Sequence, residues 1–172
     1  MKFNLRVAFG VGVASLGMVL VAAPSSMAAG GGCSNANADL GSLSRDQTRA
    51  AVICLFNNAR SGGALANNGD LQTAAQRHTN TMRKKDCFKH TCPGEDRLAK
   101  RVKRTGYYSG DAELGEVIAF AADNSSPDDV VDKWLDSSRN RGLITRSSFQ
   151  DVGVGVNVSD GNVLLTGVLG RP

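Results

Sequence analysis

The C-terminal end of the chain alternates between branched apolar residues and small or polar ones, and this alternation constrains the fold more than any other feature. Every second residue from Val152 to Val158 is valine, and the positions between them hold glycine or asparagine. A period of two is that of a β-strand with one buried face. Residues 159–162, Ser-Asp-Gly-Asn, have the composition of a tight turn, and a second apolar run covers residues 163–169. The segment therefore predicts an antiparallel hairpin.

Helical patterns come before this hairpin. Apolar residues at helical spacing predict helices over residues 44–61, 70–86 and 95–105, and a fourth that begins after Ser126. Capping patterns indicate where the first and the fourth begin. Residues 116–120 predict one strand between the third and fourth helices. Because the helices come first and most of the sheet comes last, the order predicts the α+β class rather than a repeating βαβ fold.

The N-terminus has the features of a secretory signal. Lys2 and Arg6 precede 17 uncharged residues, 7–23, and small residues surround Ala28. Since 17 residues is at the lower limit for a membrane span, an uncleaved anchor is the alternative. The predicted boundaries are a cleaved signal peptide over residues 1–28, a loose N-terminal arm over 29–43 and one folded domain over 44–172. The predicted location is extracellular, or the periplasm or cell envelope, with no stable membrane span in the mature form.

The charge of the chain excludes a nucleic-acid-binding class once the signal is removed. The full sequence carries 20 basic and 16 acidic residues, and cleavage removes Lys2 and Arg6, which leaves 18 basic residues and a net charge of +2. Basic residues nevertheless concentrate around the third predicted helix. They form either a solvated helix face or a patch for phosphate or lipid headgroups. The residues of that patch are Arg97, Lys100, Arg101, Lys103 and Arg104.

Four cysteines follow the predicted cleavage site, a number that suits two disulfides in an exported chain. Cys87 and Cys92 are five residues apart and can close a small loop, which leaves Cys33 to pair with Cys54. The alternative is a zinc site formed by Cys87, His90 and Cys92. Its spacing differs from that of a zinc knuckle, no second Cys/His pair lies nearby, and export favours oxidation.

The two histidines of the chain occupy different contexts. His78 lies on the apolar face of the second predicted helix, which is typical of a buried structural histidine. His90 lies in the loop between Cys87 and Cys92, and Glu116 stands at the beginning of an apolar strand. These two positions predict a pocket pair, with ordinary structural pairing, for instance of Glu116 with Arg97, as the alternative. No nucleophile elbow, phosphate loop, HExxH run or GxGxxG motif occurs.

The order of these motifs resembles the CAP superfamily, the cysteine-rich secretory, antigen 5 and pathogenesis-related proteins that share the SCP domain. The resemblance covers about residues 50–170, and its short form is similar to that of bacterial members. It implies a three-layer α-β-α sandwich with structural roles for Arg97 and Trp134. The matching segments are 54–60, 71–82, 87–90, 97–107, 115–119, 131–137 and 152–155.

The resemblance also implies a cleft lined by a His-Glu-Glu-His tetrad, which holds a divalent cation such as zinc in some members. His90 and Glu116 match the first histidine and the first glutamate of that tetrad. Ser137 stands at the position of the second glutamate, and Asn140 at that of the second histidine. The four residues are the candidate cavity set. With only His90 and Glu116 as metal ligands, no cofactor is required and only weak divalent-cation binding is expected.

These departures favour a binding module over an enzyme. The prediction is a secreted, monomeric, non-catalytic protein with a degenerate His/Glu cavity. Its expected partner is a small apolar ligand, a cell-envelope component or another protein. The alternative is a metal-assisted hydrolase or protease that uses His90 and Glu116.

Overall fold

The computed structural model describes residues 32–172, so the predicted signal peptide over residues 1–28 lies outside the described part. Within residues 32–172 the chain forms helices on both sides of one sheet. The helices are α1 (Arg45–Asn58), α2 (Gly69–Lys84), α3 (Leu98–Lys103), α4 (Pro127–Asp136) and α5 (Ser138–Ile144). The strands are β1 (Ala66–Asn67), β2 (Glu113–Ala122), β3 (Asp151–Ser159) and β4 (Asn162–Arg171).

The sheet is built around the C-terminal hairpin. Its strand order is β1-β3-β4-β2, with β2 antiparallel to β4 and the two-residue β1 parallel to β3. The turn between β3 and β4 places Asp160 and Gly161 at φ 53° and 74°. Two successive positive φ values are those of the tight turn whose twist matches a hairpin, and Asp-Gly tolerates them. The predicted hairpin is therefore confirmed, turn included.

The two faces of the sheet bury different sets of residues. Val154 of β3 pairs with Gly167 of β4, and Gly167 pairs with Val117 of β2, so these three lie on the same face. That face packs against α1, α4 and α5, with Phe56 and Trp134 in the main core. The opposite face packs against α2 and α3 in smaller clusters. The arrangement confirms a mixed α/β fold whose sheet lies between two layers of helices.

Two glycines allow α2 to lie directly on β3. A Cβ atom at Gly153 would stand 2.0 Å from the backbone nitrogen of Gln72, and one at Gly155 would stand 2.5 Å from the carbonyl group of Ala75. No side chain larger than hydrogen fits between this helix and this strand. The glycines of the Val-Gly alternation thus form the contact face for α2, while the valines form the opposite core.

The ends of several elements differ from those predicted. The capping boxes at Ser44 and Ser126 begin α1 and α4 as predicted, but β2 extends over ten residues. α3 begins only at Leu98, because Glu95 is drawn into a turn in which its backbone nitrogen donates to the carbonyl oxygen of Cys92. The short helix α5 was not predicted, since its seven residues carry no apolar stripe.

The described part of the N-terminal arm belongs to the folded body, contrary to the expectation of a loose segment. Leu40 is fully buried in the main core. Its backbone nitrogen donates to the carbonyl oxygen of Ser125, and that of Gly41 donates to Asp123. Two leucines, Leu40 and Leu43, in a glycine- and asparagine-rich sequence give no period that could predict this burial.

Both cysteine pairs are disulfides. Cys33 bonds to Cys54, which ties the arm to α1, and Cys87 bonds to Cys92, which closes the loop after α2. These are the pairings favoured from the sequence, and neither Cys87 nor Cys92 is available to a zinc site. No helix among residues 32–172 combines the length and apolar character that crossing a membrane requires.

We predict that Gly155→Ala lowers the free energy of unfolding by at least about 2 kcal/mol, because the added methyl group collides with the backbone of α2. Urea unfolding measures the loss. Gly63→Ala is the matched control, since no heavy atom lies within 4 Å of a Cβ atom built there, and its effect should stay within about 0.5 kcal/mol. Equal effects of the two substitutions would contradict the close approach.

Candidate functional site

The carboxylate of Glu116 is buried and both of its oxygens are engaged. Its side chain is 3% exposed. Oε1 lies 2.9 Å from Nδ1 of His90, and Oε2 accepts a hydrogen bond from Nη2 of Arg101 at 2.5 Å. The guanidinium supplies the compensating charge that a buried carboxylate requires.

Three different elements bring these groups together. Glu116 follows Gly115 in β2 and lies on the sheet face opposite to Val117, which belongs to the main core. Arg101 lies on the buried side of α3, next to the fully buried Val102. His90 lies in the loop that the Cys87–Cys92 disulfide closes, and half of its side chain remains exposed.

A second carboxylate, that of Glu95, extends the network. It lies 2.9 Å from Nδ1 of His78, accepts from Nη1 of Arg101 at 3.2 Å, and accepts from the backbone nitrogen of Cys92 at 3.0 Å. Burial alone would raise the pKa of this carboxyl group. The hydrogen bonds from Cys92 and His78 and the charge of Arg101 outweigh that effect and hold the pKa of Glu95 below its ordinary value.

His78 connects the two carboxylates from the side of α2. Its side chain is 1% exposed, and its Nε2 lies 3.9 Å from Oε1 of Glu116, beyond hydrogen-bond distance. The sequence predicts a buried, hydrogen-bonded structural histidine here, and the structure places that residue inside the charged network. One continuous buried cluster thus contains His78, Glu95, Arg101 and Glu116, with His90 at its exposed end.

An open cavity of about 680 Å³ lies next to this cluster. β2 contributes residues 114–116, the loop after α2 contributes His90, α3 and its cap contribute Arg97, and α5 contributes Arg139. Arg146, just after α5, completes the wall. His90 and Glu116 therefore share one cavity.

The other two members of the candidate cavity set lie elsewhere. The Ser137 side chain accepts from the backbone nitrogen of Asn140 and caps α5. Asn140 lines a neighbouring cavity of about 250 Å³ with Phe88, Phe120 and Trp134. Because the unpredicted α5 begins here, it turns Ser138 and Arg139 rather than Ser137 and Asn140 toward the larger cavity.

The alternative pairing of Glu116 with Arg97 does not form, and the arginine that pairs with Glu116 is Arg101, four residues farther along the chain. Arg97 precedes α3 as its cap residue, is exposed and forms no ion pair with a described residue, whereas Arg101 faces the sheet. Trp134 has the expected structural role: it is buried, and its Nε1 donates to the carbonyl oxygen of Ile118 at 2.8 Å.

The proposed basic patch is not a single surface. Arg101 is buried between two glutamates, and Arg97 faces the cavity. Lys100 and Arg104 both pair with Asp96, while Lys103 lies over the ring of Tyr108. A phosphate or lipid headgroup would have to displace these intramolecular partners.

The donors present do not fit a zinc ion. His90 and Glu116 bond to each other instead of converging on a shared point, and the guanidinium of Arg101 already neutralises the carboxylate. Within residues 32–172 no group of three or more His, Cys, Asp or Glu side chains is arranged to hold a metal. A zinc site needs at least three such protein ligands.

Sequence reasoning missed Glu95 and Arg101 as members of the site. A usable signal was present for Arg101, which falls three residues after Leu98 and beside Val102 and so lies on the apolar side of α3. A charged residue on that side of a helix requires a buried partner. Glu95 carries no such signal, because its role depends on the turn that the disulfide loop forms.

Comparisons with known proteins agree on the fold. The model of the cysteine-rich secretory protein family, CAP, matches residues 55–168. An extracellular protein containing an SCP domain from Bacillus anthracis is similar in structure, with a TM-score of 0.62 and 26% identity. That match covers 76% of this chain and 44% of the other, so the chain spans less than half of that protein's length.

Two more distant structures show the fold alone. An outer surface protein from Borrelia burgdorferi has a TM-score of 0.58 at 15% identity, over 67% of this chain and 86% of its own. Venom allergen-like protein 4 from Schistosoma mansoni has a TM-score of 0.52 at 14% identity, over 76% and 92%. No curated protein sequence matches this chain.

We predict that Arg101→Gln lowers the free energy of unfolding by about 3–5 kcal/mol, because it leaves two buried carboxylates without their cation. Arg97→Gln removes the same charge from an exposed position that forms no ion pair, so it should change the free energy of unfolding by no more than about 0.5 kcal/mol. Urea unfolding at neutral pH measures both. A larger loss for Arg97→Gln than for Arg101→Gln would instead favour the alternative pairing of Glu116 with Arg97.

The lowered pKa of Glu95 predicts an acid-dependent contribution to stability. Since the folded-state pKa lies below the ordinary value of 4.5, the ionised group stabilises the fold above that pH, and the contribution disappears as the pH falls through the folded value. The difference in unfolding free energy between the wild type and Glu95→Gln should therefore be larger at neutral pH than near pH 3. An identical difference at both pH values would contradict the shift.

Proposed function

The chain belongs to the cysteine-rich secretory protein (CAP) family, and we propose that it is an exported CAP-domain protein that binds a partner in its cavity without catalysing a reaction. The single observation that carries this proposal is the state of Glu116. Both of its oxygens are bound within the protein, to His90 and to Arg101. A carboxylate so engaged is a structural member of the cavity wall rather than a free base.

The remaining polar groups of the cavity support a binding role. Thr91 and Ser138 are its hydroxyl-bearing residues, and neither forms a hydrogen bond with His90 in the described part of the chain. Nucleophilic catalysis needs such a contact between nucleophile and base. The volume of about 680 Å³ falls within the range of small-ligand sites.

Export is supported by two features of the chain and by one comparison. Both disulfides suit an oxidising compartment. The N-terminal residues 1–28 have the pattern of a cleaved signal peptide. The Bacillus anthracis protein that shares the fold is itself described as extracellular.

A metal-assisted hydrolase is the second candidate. It is favoured by one observation: His90 hydrogen-bonds to Glu116 at 2.9 Å while half of its side chain faces the open cavity. A ligand that drew His90 away from Glu116 would expose both side chains to a metal.

A zinc titration combined with a peptide-cleavage assay separates the two candidates. The binding module predicts no saturable zinc heat that depends on His90 and no cleavage of a mixed peptide library by the wild type. Thr91→Ala is the matched control for His90→Ala, because it changes a neighbouring residue of the same cavity. Micromolar zinc binding that is lost in His90→Ala but kept in Thr91→Ala, together with cleavage, would overturn the proposal.

A further inference from the structure

We propose that the cavity next to His90 and Glu116 binds an extended acidic peptide, which lies along the edge of β2 between α3 and α5. This inference rests on the proposed function and names the partner of that site. Three features of the cavity support it: charged side chains that form no ion pair with a described residue, here called its uncommitted charge, the free edge of the sheet, and the apolar residues beside it.

The uncommitted charge of the cavity is positive. Arg97, at the start of α3, and Arg139, in α5, both line the cavity, and neither forms an ion pair with a described residue. Arg146 is shared with Glu113, and the charge of Glu116 is neutralised by Arg101. A ligand therefore meets two exposed guanidinium groups without competing carboxylates. Guanidinium groups bind carboxylates with paired hydrogen bonds.

The free edge of the sheet favours a peptide over other anions. β2 is the outermost strand, and no strand within residues 32–172 pairs with its far side. Residues 114–116 of this strand line the cavity. Further along, the Ile118 carbonyl oxygen is already bound by Trp134, so the accessible stretch is short. An extended peptide can both donate hydrogen bonds to the main chain of such an edge and accept them from it, whereas an ionised phosphate polymer can only accept them.

The apolar residues of the cavity specify the side-chain pattern of the peptide. Leu98, Leu114 and Leu143 are partly buried and line the same cavity as Arg97 and Arg139. In an extended chain successive side chains point to opposite sides. A peptide in which acidic and apolar residues alternate would therefore offer carboxylates and apolar side chains to different parts of the cavity. The short accessible edge implies weak binding, in the micromolar range or weaker.

Fluorescence polarisation with designed peptides tests this proposal on the full protein with both disulfides formed. The probe is an end-blocked, labelled octapeptide of alternating Glu and Val, and the comparison peptide alternates Lys and Val. The test variant combines Arg97→Gln with Arg139→Gln. The matched control combines Arg77→Gln with Lys84→Gln, which removes two exposed positive charges that line a different pocket.

The Glu-Val peptide should bind the wild type and the control alike, and the Arg97/Arg139 variant at least about fivefold more weakly, as expected for the loss of two exposed ion pairs. Added salt should weaken binding to the wild type. Equal binding of the Lys-Val peptide, equal binding to both variants, or no binding of the Glu-Val peptide would overturn the proposal.

Two further probes test the peptide class itself. N-methylation of alternate residues removes the N–H donors along one side of an extended peptide and so blocks strand addition on that side. Two methylated Glu-Val peptides are made, one for each set of alternate positions. At least one of them should bind more weakly than the unmethylated peptide. If both methylated peptides bound as tightly as the unmethylated one, the proposal would be overturned in favour of a simple anion site. The same holds if inorganic phosphate displaced the peptide more effectively than chloride of equal ionic strength. Mass analysis of the recovered peptide separates the two proposals: cleavage would refute the non-catalytic function while leaving peptide recognition intact.

Discussion

The direct contact between α2 and β3 is the constraint on which the rest of the structure depends. Gly153 and Gly155 leave no Cβ atom between the two backbones, so the helix lies closer to the sheet than any side chain would allow. This separation lets Thr79 of α2 hydrogen-bond to Thr166 of β4 at 2.8 Å. His78, the preceding residue, is thereby held beside Glu116 and Glu95. A helix held farther from the sheet could not bring its histidine to the carboxylate of Glu116 in β2 and that of Glu95 in the turn after Cys92.

The buried cluster that results is organised around an arginine. Arg101 donates to both Glu95 and Glu116, with 2.5 Å to the latter, and so occupies the position between two carboxylates where charge compensation is needed. The CAP resemblance implies a tetrad that accepts a divalent cation in some members. Ser137 and Asn140, at the positions that the resemblance assigns to the other two members, lie outside the larger cavity, and a guanidinium compensates the carboxylate of Glu116. The cluster therefore belongs to the cavity wall, and contacts with a ligand would be made by the residues farther out.

The residues farther out give the cavity lining a net positive charge. Arg97, Arg139 and Arg146 line it, while the acidic residue at its inner end is neutralised. A cavity of this kind attracts anions, and in the proposed peptide complex the neighbouring outermost strand supplies main-chain hydrogen bonds as well. In the function proposed above, binding and the absence of catalysis have one cause. The groups that would be needed for acid-base chemistry are already bonded to one another, and the groups left over are suited to holding a ligand.

Local period and turn chemistry in the sequence predict the hairpin and the capped starts of α1 and α4. The sequence also favours the two observed disulfide pairings, and it predicts a pocket pair of His90 and Glu116 with ordinary structural pairing as the alternative. It did not determine α5, the burial of Leu40 or the identity of the cation beside Glu116. Those depend on contacts between segments far apart in the chain, for which a single sequence carries no period. Arg97 and Arg101 differ by one turn of a short helix, and local propensity does not fix such a helix to within one turn. Only the packing of α3 against the sheet, together with the disulfide loop and the turn at Glu95, places Arg101 in the interior and Arg97 at the cavity.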